Sequence, residues 1–149
     1  MKELSYRIER GCAAPPALVY GVFADVERWP TWMPGVRRAA WDVEGPAGGA
    51  GEGAIRRFGA PGVTARERIV VADPPHHQGY TLLSGLPLDD YRADVHIDER
   101  PGGSLIRWEA TFRSRIPVVG KLLEALMTLA MTGAARALAK EAERQHRLP

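Results

Sequence analysis

The chain has 149 residues, 45% hydrophobic and 26% charged, which is the size and composition of a globular domain and not of a disordered segment. Its 20 basic and 18 acidic residues leave a formal charge of +2, too even a balance for a dedicated nucleic-acid surface, so no nucleic-acid partner is expected. The single Cys12 excludes an internal disulfide and a cysteine-based zinc cluster.

"MKELSYRIER" has no apolar run of the kind a signal peptide carries. The most apolar stretch, Val118 to Ala135, is interrupted by Lys121 and Glu124, so no membrane span is expected and the chain reads as cytoplasmic. Residues 3–10 alternate, with Leu4, Tyr6 and Ile8 against Ser5, Arg7 and Glu9, which predicts a half-buried strand. In "APPALVYGVFADV" the period changes: Pro15 and Pro16 suit a helix start, and Val19, Val22, Phe23 and Val26 fall on one helical face. Asp25 is placed to cap a second short helix, which is expected to end near Trp29 because Pro30 disfavours helix before it.

From Val36 to Arg115, short alternating runs are separated by turn signals, the pattern of an antiparallel meander. "VRRAAWDVE" leads through the Gly-rich "GPAGGAGEG" to "AIRRF"; "VTARERIVVA" breaks at "DPP", and "QGYTLLS" at "GLP". "YRADVHIDE" and "LIRWEATFR" flank "RPGGS", where Pro101-Gly102 suits a type II turn. Tyr91, Ala93, Val95 and Ile97 share one face of their strand, and Arg92, Asp94, His96 and Asp98 the other. After Pro117 a helical pattern runs to about Gln145, with Val119, Leu122, Leu123, Leu126, Leu129, Ala130, Gly133 and Ala137 as its apolar stripe. One sheet with one apolar face and one long amphipathic helix pack by laying the helix in the concave face of the sheet.

This order, with "FADVERWPTWMPGV" after the first strand, resembles the START-like (SRPBCC, birch-pollen-allergen-like) superfamily, and within it the bacterial polyketide cyclase/dehydrase and lipid-transport branch. The resemblance rests on Val19, Phe23, Asp25, Trp29 and Trp32, on "ERIVVADPP" in the fourth strand and on "GGSLIRWEATF" in the last, and it extends over nearly the whole chain. It implies an α+β helix-grip fold, a curved seven-stranded antiparallel sheet wrapped around the C-terminal helix, with two short helices after strand 1. A cavity is then expected between sheet and helix, and residues 1–149 form one such domain. Trp29, Trp32 and Met33 are expected to plug the open end of that cavity, with Pro30 and Pro34 fixing the turns; Trp29 serves equally well as plain core.

Little catalytic chemistry accompanies this frame. "GAGEGA" formally fits a dinucleotide fingerprint, but no helix follows it, so it reads as a hairpin loop. His76 and His77 point to opposite faces if they lie in a strand, and without a spaced third ligand they read as solvated turn residues; no metal and no cofactor are expected. Arg56, Arg57, Arg66 and Arg68 read as a solvated basic face. Glu67 is the exception, because it shares a face with Val63, Ala65, Ile69 and Val71. A carboxylate on an apolar face requires a partner or a proton. It either faces the cavity, pairs with an arginine such as Arg57, or sits in water at the end of the sheet.

The expected function is binding of a small hydrophobic molecule (lipid, polyketide or isoprenoid-like) by a monomer or homodimer. Tyr80, Tyr91, Trp108 and Phe112 from the sheet and Leu126, Met127 and Ala130 from the helix are the expected contacts, with Trp32, Met33 and Glu67 at the cavity. An aromatase/cyclase guiding an intramolecular aldol condensation, with Glu67 as acid or base, is the alternative. A third reading is a protein-interaction module using Leu123, Met127 and Met131.

Overall fold

In the computed structural model, which describes residues 2–149, β1 (Leu4–Cys12) precedes α1 (Pro16–Ala24) and a 3-10 helix (Val26–Thr31). Then come β2 (Arg38–Val43), β3 (Ile55–Ala60), β4 (Val63–Asp73), β5 (His77–Ser84), β6 (Leu88–Arg100), β7 (Gly103–Ser114) and α2 (Gly120–His146). The strands form one antiparallel sheet in the order β1-β7-β6-β5-β4-β3-β2. Strands β2 to β7 are therefore a meander, and β1 joins it beside the last strand. With α2 laid against β1, β7 and α1, this is the helix-grip α+β fold.

Local sequence explains most of these elements. Pro15 is extended at the N-cap of α1 and Pro16 occupies its first turn, where a missing N–H costs nothing. Val19, Val22 and Phe23 of α1, together with Val26, are all buried. Gly102 has φ +80 in the two-residue turn between β6 and β7, as a type II turn requires. Cys12 is free and buried beside the Ala139 carbonyl; burial, and then Glu143, push its thiol up to about 11, so it packs as an apolar side chain.

The second short helix differs from expectation. It continues through Pro30 to Thr31, and Asp25 makes no side-chain cap. A 3-10 turn this short forfeits only one bond to a proline, and the segment is held instead by Trp32 and Met33 donating N–H bonds to the Trp29 carbonyl.

The burial of α2 also departs from the predicted stripe. Its C-terminal half buries Ala134, Ala135, Leu138, Ala139 and Ala142. In the N-terminal half, Leu123, Met127 and Met131 turn partly toward the core, whereas Leu122, Leu126 and Leu129 are 61%, 52% and 72% exposed. The apolar residues of this half outnumber the positions the sheet can cover: of the predicted stripe Leu123 and Ala130 face the interior side, and Leu122, Leu126 and Leu129 do not. By length and composition α2 could cross a membrane, but its alanine-rich half packs against the domain's own strands.

Leu138, fully buried, is expected to lose about 2–5 kcal/mol on truncation to Ala, and Leu126→Ala to change stability by no more than about 0.5 kcal/mol. Urea unfolding of the two variants checks this; an equal loss in both would mean that the outer edge of α2 is covered after all.

Candidate functional site

Strands β3 and β4 pair with Arg56 directly opposite Glu67, and both side chains point inward. Arg56 is 1% exposed and Glu67 7%. Arg56 donates from Nε to Oε1 of Glu67 at 3.0 Å, and its Nη2 forms an ion pair with the same oxygen at 2.9 Å. Its Nη1 donates to Gln78 Oε1 on β5 at 2.8 Å. Aromatic faces complete the enclosure, with the guanidinium carbon 4.4 Å from the ring centre of Tyr80, 4.8 Å from Trp29 and 5.3 Å from Phe23. The partner predicted for Glu67 was therefore one residue out. Arg57 lies on the outer face, where it and Arg66 pair with Asp42. Arg56, assigned to a solvated face, is a core residue: in "AIRRF" it alternates in step with Ala54 and Phe58, both of which turn inward.

Beside this pair lies a second polar group. Tyr6 and Tyr91 share a hydrogen bond of 2.5 Å, and Trp108 Nε1 donates to the Tyr80 hydroxyl at 3.0 Å. Burial pushes all three tyrosine hydroxyls far above the ordinary phenol range, so they remain neutral donors and acceptors. Burial likewise raises the Glu67 carboxyl, and the Arg56 charge and hydrogen bonds draw it back only in part.

These groups form one wall of a cavity of about 360 Å³ between the sheet and α2. Arg56, Glu67, Tyr80, Tyr91 and Trp108 supply the polar and aromatic side; Phe58, Ala65, Leu82 and Leu86 continue it along the sheet. Met127, Ala130, Met131 and Ala134 close it from α2, and Trp29, Met33 and Pro34 close the end beside the 3-10 helix. Leu86 reaches the rim from the β5–β6 turn, held by Gly85. This glycine has φ +107, and a Cβ there would lie 2.1 Å from the Thr64 carbonyl oxygen.

Of the residues expected at the ligand, Met33, Glu67, Tyr80, Tyr91, Trp108, Met127 and Ala130 are brought together here. Three are not. Trp32 lines a separate hollow with Ala17, Leu18 and Gln145, between α1 and the end of α2. Phe112 is buried against Tyr6 and Tyr91 in the core, and Leu126 faces outward. Trp29 both fills the core and lines the cavity, donating from Nε1 to the Phe23 carbonyl at 2.9 Å.

A family model described as polyketide cyclase / dehydrase and lipid transport matches residues 4–143. The chain belongs to that family. Several solved structures share the fold of this family member. An aromatase/cyclase, Zhui from Streptomyces sp. R1128, is 18% identical with a TM-score of 0.83, over 98% of this chain and 97% of that one. A START superfamily protein from Mycobacterium smegmatis is 17% identical with a TM-score of 0.79, over 96% and 98%. Norcoclaurine synthase from Thalictrum flavum, in complex with dopamine and hydroxybenzaldehyde, is 19% identical with a TM-score of 0.73, over 99% and 90%. No curated protein matches the sequence.

The raised Glu67 carboxyl has a consequence for stability. Between the ordinary Glu value of 4.5 and the higher native value, the folded state holds more protons than the unfolded one. Glu67 thus favours folding most at low pH, and that contribution is lost as pH rises through the native value. Relative to Glu67→Gln, the wild type is expected to lose stability from about pH 4.5 upward. Paired urea melts across that range check the sign; a wild type that gains on Gln as pH rises would place the carboxyl below its ordinary value.

Proposed function

We propose that this protein binds a compact, mostly apolar molecule carrying one hydrogen-bonding group (a lipid, polyketide or isoprenoid-like compound) between the sheet and α2. The observation that carries this reading is an apolar cavity whose buried polar groups are gathered on one wall. Its volume of about 360 Å³ lies near the lower end of the ~300–1,000 Å³ usual for small-molecule sites. Arg56 satisfies only Oε1 of Glu67, so Oε2 is the acceptor, or the proton donor when Glu67 is neutral, for the ligand's polar end. The family's description and the resemblance to START proteins support the same reading.

One observation favours the second reading, an aromatase/cyclase: the Glu67 carboxyl holds its proton above the ordinary range inside the cavity, as an acid for an aldol step would. Against it, Arg56 occupies Oε1 of Glu67 and draws the carboxyl back toward its ionised form, and the buried tyrosine hydroxyls stay protonated. Binding is therefore the preferred function.

Mass spectrometry of an organic extract of the purified protein is expected to reveal a bound apolar compound, and its addition to the stripped protein to change the fluorescence of Trp29 and Trp108. Ala134→Phe, which fills the cavity from α2, is expected to weaken binding at least about tenfold, the order of one lost apolar contact of 1.4 kcal/mol. Unchanged affinity in a folded variant would place the ligand elsewhere. Glu67→Gln separates the two readings: a binder keeps most of its affinity and never converts a poly-β-carbonyl thioester, whereas a cyclase converts it and loses that conversion with Gln.

A further inference from the structure

The outer face of the sheet carries a second arrangement, on the side away from the cavity. His77 does not lie in a turn; it opens β5, directly opposite His96 on β6. The two imidazoles stack with centres 4.3 Å apart and planes 17° from parallel. Asp94 lies two residues before His96 and so on the same face, and its Oδ1 is 2.6 Å from His77 Nε2. One ligand atom from each of the three side chains lies within 4.8 Å of the other two. His76 takes no part, its Nδ1 lying 3.1 Å from the Ile97 carbonyl oxygen; both further ligand groups beside His77 come from the neighbouring strand.

We propose that His77, Asp94 and His96 form a site for a divalent transition-metal ion of borderline softness, such as Zn²⁺, bound through two imidazole nitrogens and one carboxylate oxygen. Nitrogen and carboxylate ligands at about 2.0–2.2 Å are what such an ion takes, and around a tetrahedral ion these donors stand roughly 3.3 Å apart. Small side-chain rotations on two paired strands bring the three atoms to that spacing. Glu109 on β7 pairs with Asp94 in register, and its Oε1 is 3.8 Å from His96 Nε2, so a carboxylate flanks the group without belonging to it. Gly79 makes room for the group: a Cβ there would lie 2.7 Å from Asp94 Oδ1 and 2.8 Å from Arg92 Nη2. Its bare backbone lets both side chains lie across β5.

Arg92 is the competitor. It donates from Nη2 to Asp94 Oδ1 at 2.9 Å and from Nε to Oδ2 at 3.2 Å. Being 43% exposed, it is free to keep Oδ2 as an outer partner while the ion takes Oδ1. The bound ion ties β5 to β6, and because only the folded chain presents the three ligands together, binding raises stability.

The test uses the full chain without an affinity tag, titrated with Zn²⁺ in competition with a chromophoric chelator, above the ordinary imidazole pKa. One equivalent is expected to bind and to raise Tm. His77→Ala and His96→Ala should each weaken binding by more than the roughly 10–100-fold that outer partners alone are worth. Arg92→Ala should tighten it, and His146→Ala should leave it unchanged. Imidazole proton resonances of the wild type, shifting for two histidines only, give a readout that no variant has to fold for. The proposal is overturned if no saturable binding occurs at millimolar Zn²⁺, if both His77→Ala and His96→Ala bind as the wild type does, or if His146→Ala abolishes binding.

Discussion

A guanidinium that is 1% exposed has lost nearly all of its water, and it is stable only where protein groups replace that water completely. Arg56 obtains a carboxylate from β4, an amide oxygen from β5 and the faces of three aromatic rings, from α1, the 3-10 helix and β5. Four elements distant in sequence must be in place before that charge is tolerated. Removing Glu67 or Gln78 alone would leave a buried cation short of partners, so the cluster disfavours every register of β3, β4 and β5 except the native one.

The same requirement shapes the cavity. The rings that enclose Arg56 cannot collapse further onto the sheet, because Phe23, Trp29 and Tyr80 are already engaged on its charge. On the opposite side, α2 offers only Ala130 and Ala134 beside Met127 and Met131. The hollow is therefore bounded by a rigid wall on one side and short side chains on the other. Met127 and Met131, unbranched and adaptable, are the wall residues best able to adjust to differently shaped occupants.

The architecture was legible in the residues because periodicity was strong where burial is one-sided. Tyr91, Ala93, Val95 and Ile97 alternate without interruption, and the helix that must cover them is the longest apolar pattern in the chain. Where reading failed, polar residues occupied inward positions or apolar residues occupied outward ones. Arg56 has the alternation of a core residue, but its charge suggested the surface; only pairing with Glu67 across the strands, a contact between residues 11 apart in sequence, makes its burial sustainable. On α2, Leu122 and Leu123 are adjacent and equally apolar, and which of them faces the sheet is set by the rotation of the helix, not by composition. Likewise, His77 acquires its neighbours through β5–β6 register. Alternation puts Asp94 and His96 on one wet face, but does not fix which residue of β5 stands across from them.

Two glycines at the cavity leave no room for a side chain: Gly59, where a Cβ would lie 2.0 Å from the Val63 carbonyl oxygen, and Gly85 beside Leu86. At Gly85 any side chain would collide with the β4 backbone and occupy a conformation that L-residues avoid, so the turn carrying Leu86 tolerates no replacement there. Changes of cavity shape are thereby confined to the walls, where Ala65, Leu82, Met131 and Ala134 can change size one at a time. Substitutions there alter the depth and breadth of the chamber while the β5–β6 turn stays as it is.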